Sequence, residues 1–106
     1  MFDSAQKSLA KEFARVLSQR EYDAAHAILS QKLRSQVDVD RLREEFEEMI
    51  PLDWGLVDPI ELEESGDYPF IYVVLGGDVY SEAIIIDSFS IENNQVKVGR
   101  YEFGRP

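Results

Sequence analysis

Asp87 is the side chain of this sequence best suited to moving a proton. It lies in the stretch FIYVVLGGDVYSEAIIIDSFSI, residues 70–91. Under plain strand alternation it shares a face with Ala83, Ile85, Phe89 and Ile91, which places a carboxylate in an apolar concavity. Burial there disfavours the ionised form, raises the carboxyl pKa and suits a general base. Tyr22 and His26, one helical turn apart, would add a hydrogen-bond donor and a second proton-transfer group, and Trp54 would wall the pocket. The same residues have a plainer reading. Either Ile84 and Ile86 face inward or a bulge resets the register, and Asp87 then points to solvent or into an interface. His26, the single histidine, stands in an Ala-Ala-His-Ala helical context where the ring usually bonds a backbone carbonyl.

Other chemistries find little support. With one histidine and no cysteine, a metal would need a cage of carboxylates, and no Asp/Glu spacing matches a known loop. No metal and no cofactor are expected. Gly76-Gly77 does not lead into a helix, so it reads as a turn and not as a phosphate cradle. No serine sits between the glycines of a nucleophile elbow. The lack of cysteine rules out disulfides and thiolate chemistry and fits a reducing, cytoplasmic setting. The opening MFDSAQKSLAKEF is amphipathic with its charges spread, unlike a signal peptide, and no apolar run approaches the roughly 18–20 residues of a membrane span. A net charge of −10 repels phosphate backbones and argues against nucleic acid. The charge is uneven: residues 1–53 hold 8 basic and 11 acidic side chains, residues 54–106 only 3 against 10. That imbalance suits either solubility or a basic partner.

The elements that must position these residues follow from periodicity. At 106 residues and 44% hydrophobic, the chain is one domain with a core of its own. Ala5, Leu9, Phe13, Val16 and Leu17 make an apolar stripe over a first helix at 3–20, with Asp3 or Ser4 as its cap. A break near Arg20-Glu21 precedes a second helix from Tyr22 to Leu29, and Ser30 caps one further turn carrying Leu33. Asp38 caps a third helix, Val39 to Met49, whose outer face holds Glu44, Glu45, Glu47 and Glu48 and which Pro51 ends. Trp54-Gly55 opens the sheet half. Leu56 to Glu64 reads as a strand with Leu56, Ile60 and Leu62 inward, and Pro59 makes it an edge strand. Gly66-Asp67 turns into the central pair, which Gly76-Gly77-Asp78 divides. Asn93-Asn94 supplies the last hairpin turn, because asparagine tolerates positive φ. A bulge at Gly99 would bring Val96, Val98, Tyr101 and Phe103 to one side of the final strand.

Helices followed by four antiparallel strands make an α+β layout. The phrases EYDAAHAILSQKLRSQV, DVDRLREEFEEMI and GDVYSEAI, in this element order, resemble the small bacterial NTF2-like proteins with the cystatin-like α+β cone fold. The resemblance implies three N-terminal helices packed on a curved four-stranded sheet, a pocket between them, and frequent dimerisation through the sheet. Members of that superfamily include isomerase-like and dehydratase enzymes, ligand binders and immunity proteins that neutralise a toxin. The second strand acid that isomerase-like members pair with the catalytic aspartate has no evident counterpart here.

Two functional readings result. In the first, the chain is a non-enzymatic protein-binding module, of the type of an immunity inhibitor of a basic toxin. The central strands are apolar at every position, so both sheet faces need cover. Tyr72, Val74, Ile84 and Ile86 are expected on the outer wall against a partner or a second copy, flanked by the acidic Glu61, Glu63, Glu64 and Asp67. In the second, a small molecule binds in the cone, with Asp87 as base and Tyr22, His26 and Trp54 around it.

Overall fold

Three of the four α-helices among the described residues start behind a short polar side chain that caps the first turn, and the second starts behind Glu21 without a side-chain cap. In the computed structural model, which describes residues 2–54, 58–64, 70–76 and 81–104, α1 spans Ser4–Ser18 behind Asp3. The Asp3 carboxylate accepts from the Gln6 N–H at 2.8 Å, and the Gln6 side chain accepts from the Asp3 N–H at 2.9 Å. This reciprocal pair satisfies two N–H groups that the first turn leaves free. Helix α2 spans Tyr22–Ile28. Ser30 caps α3, Gln31–Gln36, and Asp38 caps α4, Val39–Met49. The single turn expected after Ser30 is thus a helix of six residues, and the described residues hold four helices and not three.

The strands are β1, Asp58–Glu64; β2, Ile71–Gly76; β3, Ser81–Glu92; and β4, Gln95–Gly104. They pair in the order β1-β2-β3-β4, each antiparallel to the next, so the sheet is open with β1 and β4 at its edges. Pro59, which has no N–H for a ladder, lies on edge strand β1, whose register shifts between Pro59 and Glu61. Asn93 and Asn94, with φ of 52° and 65°, form the tight β3–β4 turn that needs two left-handed residues. Three expected features, the Gly66-Asp67 turn, the Gly77-Asp78 part of the next turn and the chain at Gly55-Leu56, lie outside the described residues. So do the side chains of Trp54, Ile60, Glu61, Glu63 and Glu64.

The helices cover one sheet face. Phe13, Leu17, Leu42, Phe46 and Ile50 are fully buried against Ile71, Val73, Leu75, Ile84, Ile86 and Val98. Ala10 and Ala14 join the buried side of α1, where their small side chains allow close approach, whereas Ala5 is exposed. The described chain measures 38 × 32 × 18 Å. The shortest dimension holds one helix layer and one sheet layer of about 10 Å each.

Two opposed irregularities set the phase of the sheet. Ile86 pairs with Tyr101, Ser88 with Arg100 and Phe89 with Val98, so Asp87 on β3 and Gly99 on β4 each stand as an extra residue at one level. Both strands therefore switch faces together. Ile84 and Ile86 point inward and so does Phe89, three residues on. Tyr101 and Phe103 point inward and so does Val98. A Cβ on Gly99 would stand 2.9 Å from the Ser88 Oγ and 3.3 Å from the Ser88 carbonyl oxygen. Gly99→Val should therefore destabilise the fold by about 1–3 kcal/mol. A denaturant titration showing an unchanged midpoint would refute that.

Candidate functional site

The interior between helices and sheet is built from aromatic rings in edge-to-face contact. Phe13 meets Tyr101 at 5.8 Å between centroids, Phe46 meets Phe103 at 5.7 Å and Tyr22 at 6.2 Å, and Phe2 meets Phe89 at 5.7 Å. Such pairs add to the stabilisation from burial alone. They occupy the place where the sequence puts a cone pocket.

The residues expected to do proton chemistry are dispersed. Asp87 is the bulged residue of β3. Its carboxylate is exposed, 3.6 Å from the Arg100 guanidinium, and does not enter the concavity. Tyr22 is half-buried and its hydroxyl donates to Glu47 Oε2 at 2.8 Å. Burial pushes the Tyr22 phenol up, with the Arg20 hydrogen bond opposing and Glu47 reinforcing that rise. The His26 Nε2 lies 2.6 Å from the Val37 carbonyl oxygen, so this nitrogen carries the hydrogen and donates. Asp87, Tyr22 and His26 share no bonding partner. Among the described side chains of the sheet the buried carboxylate is instead Glu82, opposite Leu75 near the start of β3 and itself partnered. Its neighbours in sequence, Ser81 and Ala83, carry no signal that sets it apart from an exposed glutamate.

The expected partner surface divides in the same way. Ile84 and Ile86 are fully buried beneath the helices, which corrects their placement on the outer wall. In the register, Val73 lies opposite Ile84 and Ile71 opposite Ile86, all in the core. The outer face carries the alternate set. Tyr72 stands opposite Ile85 and Val74 opposite Ala83. Tyr72, Val74 and Ile85 are half-buried, while Ala83, small and flanked in register by Val74 and Gly104, is fully shielded. Glu63 and Glu61 occupy the β1 positions opposite Tyr72 and Val74, and Glu102 the β4 position opposite Ile85. Directly opposed antiparallel residues share a face. Acidic positions thus flank the apolar strip on both sides. Glu64 stands opposite the buried Ile71, out of that row, and Asp67 lies outside the described residues.

Two open grooves border the helices. One, of about 490 Å³, runs between α4 and β4 and is lined by Glu45, Glu48, Met49, Tyr101, Glu102, Phe103 and Gly104. The other, of about 590 Å³, lies at the start of α2 beside Arg20, Tyr22, Asp40 and Arg43. In the first, the Tyr101 hydroxyl donates to Glu45 Oε1 at 2.6 Å. Burial, then the Glu45 carboxylate, drive the Tyr101 phenol far above its ordinary value of 10.0. The native state therefore keeps a proton that the unfolded chain releases near that value. Its stabilising effect is complete below about pH 10 and is lost progressively above it. Tyr101→Phe should flatten the fall in unfolding free energy above about pH 10, with Tyr22 accounting for part of what remains. Equal slopes in urea titrations of the two proteins would contradict this.

Among the described residues no group of three or more His, Cys, Asp or Glu side chains is arranged to hold a metal ion, and no helix is long and apolar enough to cross a membrane. Compared with protein-family models, curated proteins and solved structures, the chain matches none.

Proposed function

We propose that this chain is a non-enzymatic protein-binding module that docks a basic protein partner on the outer face of its sheet. One observation carries the reading: Tyr72, Val74, Ala83 and Ile85 form an apolar strip with no helix over it among the described residues, with the register positions of Glu61 and Glu63 on β1 and of Glu102 on β4 to either side. An apolar centre inside a charged rim is the usual composition of a protein interface. The acidic rim and the net charge of −10 favour encounter with a basic surface.

The finer reading is an NTF2-like module of bacterial immunity type, acting in the cytoplasm against a basic toxin. It is supported by the order of helices before a meander, by α1 lying across the strands, and by the long β3–β4 pair with its paired bulges.

Affinity capture with the immobilised chain, followed by mass spectrometry, tests the proposal. Basic proteins should be retained at low salt, lost at high salt, and lost again with Ile85→Lys. Reversing Glu61, Glu63 and Glu102 to lysine should slow association by about tenfold and weaken its salt dependence. Recovery of this chain alone, or retention that ignores Ile85→Lys, would overturn the reading.

A further inference from the structure

The β4 edge, from Arg100 to Gly104, differs from every other border of the sheet. Further back along that edge, Leu29 runs beside Val98 as a short parallel bridge, and the Ser30 N–H donates to the Val98 carbonyl at 2.8 Å. Beyond Val98, no described element pairs with β4 on this side. The opposite edge, β1, is blunted by Pro59, its register shift and its glutamates. The α4–β4 groove opens along the uncovered segment. Its apolar floor is Met49 and Phe103, both half-buried, and Glu45 and Glu48 on α4 wall it. Among the described residues no basic side chain lines it.

We infer that a basic segment of the partner docks here in extended form, adding a strand to β4 between Arg100 and Gly104. The inference rests on the protein-binding reading above and names how the partner engages. A strand laid beside β4 presents successive side chains to opposite faces. One set turns toward α4, where aliphatic groups meet Met49 and Phe103 and cationic groups meet Glu45 and Glu48. The other set turns outward beside Glu102, at the border of the apolar strip. Main-chain bonds supply affinity in this mode, and the side-chain environment supplies selectivity. The charge decides between occupants. A second copy paired antiparallel about Glu102 would set Glu102 against Glu102 and bring together two chains of net charge −10. A lysine- or arginine-bearing strand meets Glu45 and Glu48 on the helix side and, on the other, Glu102 beside an Arg100 that Asp87 already pairs at 3.6 Å.

The experiment uses a capped heptapeptide of alternating lysine and valine, its glutamate–valine counterpart, and a lysine–valine peptide N-methylated at every second residue. These are titrated into the isotopically labelled chain and followed by NMR and amide exchange. The lysine–valine peptide should protect amides of residues 100–104 and shift resonances of Glu45, Glu48 and Met49. The combined change Glu48→Lys and Glu102→Lys should weaken it by about tenfold or more. The glutamate peptide should not bind, and N-methylation should abolish binding while leaving the charge intact. Equal binding of the N-methylated peptide would overturn strand addition. Protection confined to Tyr72, Val74 and Ile85 would overturn the β4 edge and leave the outer-face reading standing. Concentration-dependent protection of residues 100–104 without peptide would mean that a second copy is the occupant. If no basic peptide binds while captured basic proteins remain sensitive to Ile85→Lys, the edge inference alone fails.

Discussion

Phe46→Ala will lower the unfolding free energy by about 3–5 kcal/mol. The ring is fully buried and is the junction of the interior. It meets Tyr22 and Phe103 edge-on, and the Arg20 guanidinium lies 5.8 Å above its centroid. Truncation removes apolar surface and aromatic contacts at once. It also leaves a cavity that two elements, α2 and β4, would have to close from opposite sides. Since small domains hold about 5–15 kcal/mol in total, this loss brings the protein to the margin of folding at room temperature. Phe46→Leu, which keeps most of the volume, should retain a cooperative transition. A fall of under 1 kcal/mol for the alanine variant in guanidinium titrations would show that the space is not closely packed.

The second large effect belongs to Arg20. Helix α1 ends with the Arg20 N–H bonded to the Leu17 carbonyl at 2.9 Å and the Glu21 N–H bonded to the Val16 carbonyl at 2.8 Å. In this terminating motif one residue must adopt left-handed backbone angles, and glycine usually fills the position. Here it is Arg20, with φ of 60°. A side chain in that region costs about 1–2 kcal/mol, so its contacts must return more. Its guanidinium donates to the Ile50 carbonyl at 3.4 Å and the Pro51 carbonyl at 3.2 Å, groups left free beyond the end of α4. It also reaches the Tyr22 hydroxyl at 3.3 Å and lies 3.8 Å from Glu47. Arg20→Ala keeps the backbone strain and loses all of these bonds, and should destabilise by about 2–3 kcal/mol. Arg20→Gly loses the same bonds and relieves the strain, so it should be more stable than the alanine variant by about 1 kcal/mol. Denaturation of the three proteins side by side checks both the size and the order. An alanine variant as stable as the parent would remove the guanidinium from the structural account.

Much of this scaffold is legible in the residues because its signals are local. Asp3, Ser30 and Asp38 satisfy free N–H groups within three residues of themselves. Pro59 cannot serve an inner strand, Asn93-Asn94 accepts positive φ, and the phase change at Gly99 announces its bulge. What was hidden depends on distant partners. A run such as Ala83-Ile84-Ile85-Ile86 is apolar at every position, so it carries no phase, and only pairing with β2 decides which residues face inward. Asp87 is exposed because its own bulge answers the one at Gly99, and nothing within β3 signals that. The glutamates of α4 look like a solvated row, yet Glu45 and Glu47 receive the hydroxyls of Tyr101 and Tyr22. An arginine at a glycine position gives no sequence warning either, because its justification comes from carbonyls thirty residues away.

The matched extra residues on β3 and β4 also have a kinetic side. Sliding one strand along the other by two positions would preserve the inward and outward alternation of an ordinary hairpin, and so would be nearly tolerated. Here such a slip would set each bulge against regular pleat and force Ile86, Phe89, Val98 and Tyr101 out of step with the helices above. The joint works as a key in its keyway. Of the alignments open to this hairpin, one seats both halves, and misaligned forms should anneal to it early and not persist.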